Sequence, residues 1–397
     1  MVVAPLPGPA SRRPLREAPI VASSLRASHT SKENADRRGG AASFVESADF
    51  AHIVLTYKML GFCAAKLPSM SAMFAPMRWL VRSSMSLTLC PYDKTCGVAD
   101  QKTIEELAHV YKGKHVLCIG GTKGIGKATA DVIRAAGGSV IVVGRSAVAP
   151  GGVSADLSTV KGCNAFEKQL VRLGIIFDFV LFTVGVWPSA MDAYTAEGIH
   201  KVFSIDLVSR HCVMSSLVRN GLVSKSVRVM SVLASCQKVP FDKASLKLLL
   251  SDGMRPDGVT GLLKGFQLMI GTAVAADAWL QLMQRTLGDD AHVMGTFPGL
   301  LSTDLAASTF PAWGLQVFKF LAAPMCDSDQ TCGLNHASIL ASPNAGRKRV
   351  SYWFAPRLEA VEPHPLTRDA ELVEWLSEEL EKLRAGKPAE GSSSTLI

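Results

Sequence analysis

From about residue 100 onward, apolar residues fall into two alternating rhythms. Ile104, Leu107, Ala108 and Tyr111 are spaced for one face of a helix, and Lys112-Gly113-Lys114 breaks it. Val116, Leu117 and Ile119 follow as a short apolar run, the pattern of a parallel strand covered on both faces. Gly120, Gly124 and Gly126 then punctuate a turn. Beyond it Ile125, Ala128, Val132, Ile133 and Ala136 return at helical spacing until Gly137-Gly138 stops them.

The same alternation continues. A second strand is predicted over 140–143, ending at Gly144-Arg145-Ser146, and a short third leads into Asp156-Leu157-Ser158. A helix carries Phe166, Leu170 and Leu173 and is closed by Gly174; a fourth strand spans 177–183. A long helix is expected over about 197–217 and a fifth strand over 227–232. Residues 236–263 read as a polar, glycine-punctuated connection without assigned structure. A long helix then carries Phe266, Met269, Ile270, Ala273, Leu280, Met283 and Leu287, before strands at 292–296 and 350–354. The last helix, 369–383, puts Leu372, Leu376, Leu380 and Leu383 on one stripe. Strands separated by helices imply crossover connections. The expected fold is therefore α/β, a doubly wound parallel sheet of the Rossmann type with its ligand at the carboxyl ends of the strands.

Composition adds the boundaries. The chain has 397 residues, 48% hydrophobic and 19% charged, enough for one large domain with extensions. Residues 1–97 are set aside as an N-terminal extension, 98–384 as the Rossmann domain and 385–397 as a flexible tail. The first 48 or so are rich in Pro, Ala, Ser, Gly and Arg without hydrophobic period, which reads as disorder. Glu17, Glu33, Asp36 and Glu46 argue against a clean mitochondrial transit peptide. The apolar stretch 50–67 is interrupted by His52, Lys58 and Lys66, so no integral membrane span is expected. Residues 70–89 carry Arg78 and Arg82 and no acidic residue, as an organellar targeting segment would, and equally as an amphipathic surface helix would. The net charge of +8 is spread thinly, and only Arg347-Lys348-Arg349 forms a run, so a nucleic-acid partner is not expected. Nine cysteines without a Cys-x-x-Cys pair suit reduced thiols in an intracellular protein, cytoplasmic or organellar, and suggest no metal.

The stretch 116–126 carries the chemistry. Strand, glycine turn and helix in that order bring main-chain amides and the positive end of a helix dipole to a pyrophosphate; the alternative is a tight turn with no ligand. The Gly-x-x-x-Gly-Ile-Gly spacing resembles that of the short-chain dehydrogenase/reductase superfamily, and further segments follow in the family's order. Asp156 resembles its adenine-contacting acid, and Thr183-Val184-Gly185 a loose form of its Asn-Ala-Gly stretch. The segment from Pro298-Gly299 to Thr303 resembles Pro-Gly-x-x-x-Thr, whose Thr meets the nicotinamide carboxamide. The resemblance implies that Gly120, Thr122, Lys123, Gly124, Ile125, Gly126, Arg145, Asp156, Gly185, Pro298, Gly299 and Thr303 hold a dinucleotide. A strand end at Arg145 without a carboxylate, with Lys123 in the glycine turn, points to NADP rather than NAD.

The family's catalytic pair, a Tyr with a Lys four residues on, has no counterpart. Helix register puts Phe266 and Ile270 at those positions, and neither can donate or tune a proton. The family's Asn corresponds to Asp206, and its Ser falls on Ala234 beside Ser235. Asp206 and Ser235 are therefore the candidate catalytic residues, with an i,i+4 ion pair on the helix between Asp206 and Arg210 as the plainer account of the former. Lys243, Lys247 and Lys264 read as solvated surface lysines. Two functions stay open. One is an NADPH-dependent oxidoreductase acting on a small carbonyl or alcohol substrate, with room for a homo-oligomer. The other is a catalytically inactive nucleotide-binding sensor or partner-binding protein.

Overall fold

A computed structural model describes residues 94–146, 151–189, 193–233, 239, 241–299, 309, 313–316 and 328–386. Residues 1–93 of the extension set aside at 1–97, residues 387–397 of the tail set aside at 385–397, and Ser235 and Thr303 lie outside the described residues.

One nine-stranded sheet organises these residues. Its strands are β1 (Lys94–Val98), β2 (His115–Ile119), β3 (Ser139–Gly144), β4 (Gly152–Ser154), β5 (Phe177–Phe182), β6 (Val223–Val232), β7 (His292–Phe297), β8 (Ser351–Phe354) and β9 (Glu359–Val361). Across the sheet the order is β1-β9-β8-β7-β6-β5-β2-β3-β4. From β4 to β8 every neighbouring pair is parallel. Counted from β2, this is the 3-2-1-4-5-6 order of a dinucleotide-binding fold with one more strand added. The expected doubly wound parallel sheet is present, and two strands that were not expected extend one edge of it. β9 runs antiparallel to β8, and β1 antiparallel to β9. The sheet therefore includes residues from Lys94, within the segment set aside as extension.

The helices are α1 (Ile104–Tyr111), α2 (Gly124–Ala135), α3 (Val160–Leu173), α4 (residues 201–219), α5 (Lys243–Gly253), α6 (Leu262–Leu287), α7 (Asp329–Ala341) and α8 (Ala370–Arg384). α5 lies in the stretch 236–263, to which the sequence assigned no structure. Asp242 caps it, and Leu246 and Leu250 on one face are buried. α7 was not expected. It packs against the α1 and α2 side of the sheet, where Tyr111 Oη donates to the Ala337 carbonyl and Asn335 Nδ2 to the Ala355 carbonyl.

Two apolar layers fill the faces of the sheet. On one side Leu107, Tyr111, Ala130 and Ile133 pack with Ala337, Ile339 and Leu340 of α7. On the other, Phe166, Phe203, Leu207, Val213, Trp279 and Leu280 pack with Leu372, Leu376 and Leu380 of α8. α4 lies within this second layer and its middle is buried all round, including Asp206, Ser209, Arg210 and His211. Polar residues inside such a helix must find partners there. No helix among the described residues is long and apolar enough to cross a membrane.

Candidate active site

The glycine turn stands at the carboxyl end of β2, as its sequence requires. Gly120 has φ +91°, and a Cβ there would lie 2.5 Å from the Val184 nitrogen and 2.9 Å from the Thr183 carbonyl carbon. A Cβ on Gly126 would collide with Thr183 Oγ1 and lie 2.6 Å from the Gly120 carbonyl oxygen. These two glycines thus let the turn lie directly on residues 183–184. Thr183 holds the other side by donating its amide (2.8 Å) and its hydroxyl (3.0 Å) to the Ile119 carbonyl. Gly124 opens α2 at φ +53°, a conformation costly to any residue with a Cβ.

The mouth of α2 differs from most helix starts in the chain. Thr103, Thr159, Asp242, Ser328 and Asp369 cap α1, α3, α5, α7 and α8 with their side chains. Lys123 at the start of α2 makes no side-chain cap. Free amides at a helix N-terminus suit an anion, and the glycines leave the approach open.

Around this turn the candidate residues are distributed as follows. Lys123 and Arg145 are exposed, and Thr122 packs under Gly144 at the end of β3. Asp156 is exposed, and its Oδ1 accepts from the Ser158 amide at 3.0 Å. Partial burial opposes ionisation of Asp156. The Ser158 hydrogen bonds, with the charges of Arg145 and Lys201, outweigh it and hold the carboxyl below its ordinary range. Gly185 lies beside Asp206, with its Cβ position 3.5 Å from Asp206 Oδ1. Pro298 and Gly299 follow β7, and Gly299 takes φ +75° against Pro356.

Phe266, at the register of the family's Tyr, packs edge-on against Trp187 at 5.9 Å, just beyond the loop that follows β5. Ile270 sits one turn further along α6, partly buried. The tyrosines of the described core are committed elsewhere. Tyr111 bonds Ala337, Tyr194 bonds the main chain of Val259, and Tyr352 bonds the Asp277 carbonyl. Lys243 and Lys247 are tied to Glu371 at 2.6 and 2.8 Å on the surface, Lys243 also to Asp369, and Lys264 is exposed. These placements match a surface role for the three lysines.

α4 carries the largest departure from expectation. Its stretch Ser204–Val208 is a π-helical turn with Asp206 in the middle. Asp206 and Arg210, expected as an i,i+4 ion pair on the helix, are both fully buried, and the hydrogen bond between them runs to the Asp206 main-chain carbonyl while the two side chains hold other partners. Arg210 Nε donates to the Asp206 main-chain carbonyl at 2.6 Å, Nη1 to Ser231 Oγ at 2.8 Å and Nη2 to the Val184 carbonyl at 2.7 Å. Longer contacts of 3.4 Å reach the carbonyls of Phe182 and Val232, and the guanidinium lies over the Phe182 ring. Asp206 Oδ1 accepts from the Val186 amide at 3.0 Å, while its Oδ2 is buried without a partner. Burial pushes the Asp206 carboxyl up to about 7, against the opposing pull of Arg210 and the Val186 amide. Burial likewise brings Arg210 down to about 10, despite the carboxyls of Asp206 and Asp277, so it stays cationic at neutral pH.

No family model matches the sequence, and no curated protein does. Solved structures do resemble it. One is a short-chain dehydrogenase family protein from Francisella tularensis, at 16% identity and TM-score 0.44, covering 62% of this chain and 98% of that one. An oxidoreductase from E. coli gives 15% identity and TM-score 0.46, over 64% of this chain and 98% of its own. The ligand-free aldohexose dehydrogenase of Thermoplasma acidophilum gives 12% and 0.44, over 63% and 94%. The chain has a doubly wound, Rossmann-type α/β fold. Its parallel strand order and glycine turn carry that assignment.

Sequence reasoning treated Arg210 only as a partner for Asp206 and missed its position beneath the loop after β5. The pattern gives little sign of it: Asp206, Ser209 and Arg210 read as polar positions of a helix, and the acceptors of Arg210 lie on other elements.

Proposed function

We propose that the chain is an oxidoreductase that binds a nicotinamide dinucleotide, NADPH in preference to NADH, and acts on a small carbonyl or alcohol. The observation that carries this reading is the uncapped, glycine-lined start of α2 at the carboxyl end of β2, packed on the loop after β5. First-turn amides without a side-chain cap, beside glycines that leave the backbone open, fit a pyrophosphate. Arg145 at the end of β3, where an NAD-specific fold carries a carboxylate, fits a 2′-phosphate, with Lys123 adding positive charge from the turn. Asp156 would lie toward the adenine, and Gly185, Pro298, Gly299 and Thr303 toward the nicotinamide.

The cofactor supplies hydride when bound. The chain's own task is to orient it and to deliver or accept one proton per turnover. Phe266 and Ile270 offer none, so the proton comes from water or from a group such as Asp206 or Ser235. Titration of the protein with NADPH and NADH, followed by a screen of aldehydes and ketones for NADPH oxidation, tests the proposal. Tighter binding of NADPH with turnover of at least one carbonyl class is expected. Absence of dinucleotide binding would overturn it, and tight binding without turnover of any carbonyl would make the chain a non-catalytic nucleotide binder.

A further inference from the structure

The glycine turn does not rest on the sheet alone. It lies on residues 183–184, and those residues are held from the opposite side by one helix. Arg210 takes the Val184 carbonyl, and Asp206 takes the Val186 amide two residues on. The same guanidinium reaches Ser231 and the terminal carbonyls of β5 and β6. The π-helical turn at Ser204–Val208 sets the spacing, because it brings the Asp206 carbonyl to Arg210 Nε while its carboxyl points at Val186.

We propose that Arg210 and Asp206 are positioning residues, which fix the loop 183–186 from below and through it set the glycine turn that receives the cofactor. The functional half of this inference rests on the dinucleotide reading; the structural half does not. Two features indicate a positioning role rather than simple stabilisation. A guanidinium and a carboxyl, both fully buried in an apolar layer, are an expensive way to hold a core together. Their hydrogen bonds also converge on one loop, and Asp206 Oδ2 remains buried without a partner, which a group selected for stability alone would avoid. The charged groups facing Asp206 are Arg210 on its own helix and, by way of Arg210, Asp277 of α6.

The test compares D206L, D206N and R210K with the parent, reading amide exchange at 183–186 and in the glycine turn without nucleotide, NADPH affinity, and the urea midpoint. D206L removes the acceptor for Val186, and D206N keeps a carbonyl oxygen in its place. For D206L the expected result is a lower urea midpoint, because the Val186 amide and the Arg210 guanidinium both lose a buried partner, with exchange at Val186 faster by about tenfold or more and NADPH binding weakened by about tenfold under conditions where the variant is fully folded. D206N should restore both loop protection and affinity. R210K keeps the charge but loses the planar fork that spans three segments, so exchange should quicken at Val184, Val186 and the glycine turn together.

Unchanged exchange at Val186 in D206L would overturn the proposal, as would loss of affinity only in step with stability and without rescue by D206N. If D206L does not fold, R210K decides: parental exchange and affinity in that variant defeat the idea. A parent that binds neither dinucleotide refutes the functional reading, while the exchange data still judge the positioning role.

Discussion

Asp206→Asn offers a direct thermodynamic test of the buried carboxyl. Asp206 is fully buried, and desolvation raises it from an ordinary 3.8 to about 7. The native state therefore holds a proton on this group over a range where the unfolded chain has released it. Between about pH 4 and about pH 7 native protein binds more protons than unfolded protein, so this group's contribution to stability falls as pH rises. Moving an acid's midpoint by one pH unit corresponds to about 1.36 kcal/mol, so the whole displacement is worth on the order of 4 kcal/mol. Asn cannot ionise and escapes that loss. Other carboxyls act in the opposite sense. Hydrogen bonds from Lys243 and Lys247 hold Glu371 down to about 2, and its contribution is lost as pH falls. Such groups are common to both proteins and cancel in the difference. Urea unfolding of parent and variant should be followed from about pH 4 to about pH 8. The stability of the variant minus that of the parent should grow by about 4 kcal/mol across this range and then level off. Parallel curves would show that Asp206 ionises normally and that its burial is less complete in solution.

Three further outcomes test the site. Gly124→Val forces a β-branched residue to φ +53° and sets an isopropyl group over the first-turn amides, so NADPH affinity should fall by about 100-fold or more with the far-ultraviolet circular dichroism unchanged; parental affinity by fluorescence titration would remove the cradle assignment. Arg145→Asp should invert the preference between NADPH and NADH, and in the parent the preference for NADPH should shrink as salt rises; equal dissociation constants in the parent, unaffected by either change, would eliminate the 2′-phosphate role. The parent should turn over carbonyl compounds slowly, and Phe266→Tyr with Ile270→Lys should raise kcat by about 10²–10⁴ if these positions face the substrate; fast turnover by the parent would mean that a different residue carries the proton.

How far the sequence revealed this arrangement depended on whether a pattern was local. β2, the glycine turn and α2 were legible because a buried strand, special backbone angles and an amphipathic helix each leave their mark within a few residues. α8 was legible through its leucine stripe. α7 was not, because its buried face includes Cys332, Asn335, His336 and Ser338, which leave no apolar stripe; Asn335 and Ser338 are held by distant partners, and His336 Nδ1 meets the Cys332 carbonyl within the helix. β9 has three residues, too few to show any period. α5 was hidden by the polar and glycine-rich residues around it, although Asp242 and the Leu246–Leu250 spacing were its signals. In the site, the positions of Gly120 and Gly126 followed from spacing, whereas the role of Arg210 depends on carbonyls from β5, β6 and the loop between β5 and α4. Those acceptors come together only once the sheet has formed.

The edge of the sheet bears on how the chain is made. β1 joins the sheet only by pairing with β9, more than two hundred residues later in synthesis, and α8, which covers α4 and α6, follows β9. A ribosome releasing the chain in order delivers the glycine turn, α4 and its buried charges well before either closure is available. Until β9 emerges, β8 has an open edge and the leucine-binding face of α4 and α6 is bare, surfaces that invite association with other nascent chains. Completion of this fold is therefore a late, non-local event, and the stretch of translation between β7 and α8 is the interval in which a chaperone holding the half-built sheet would matter most.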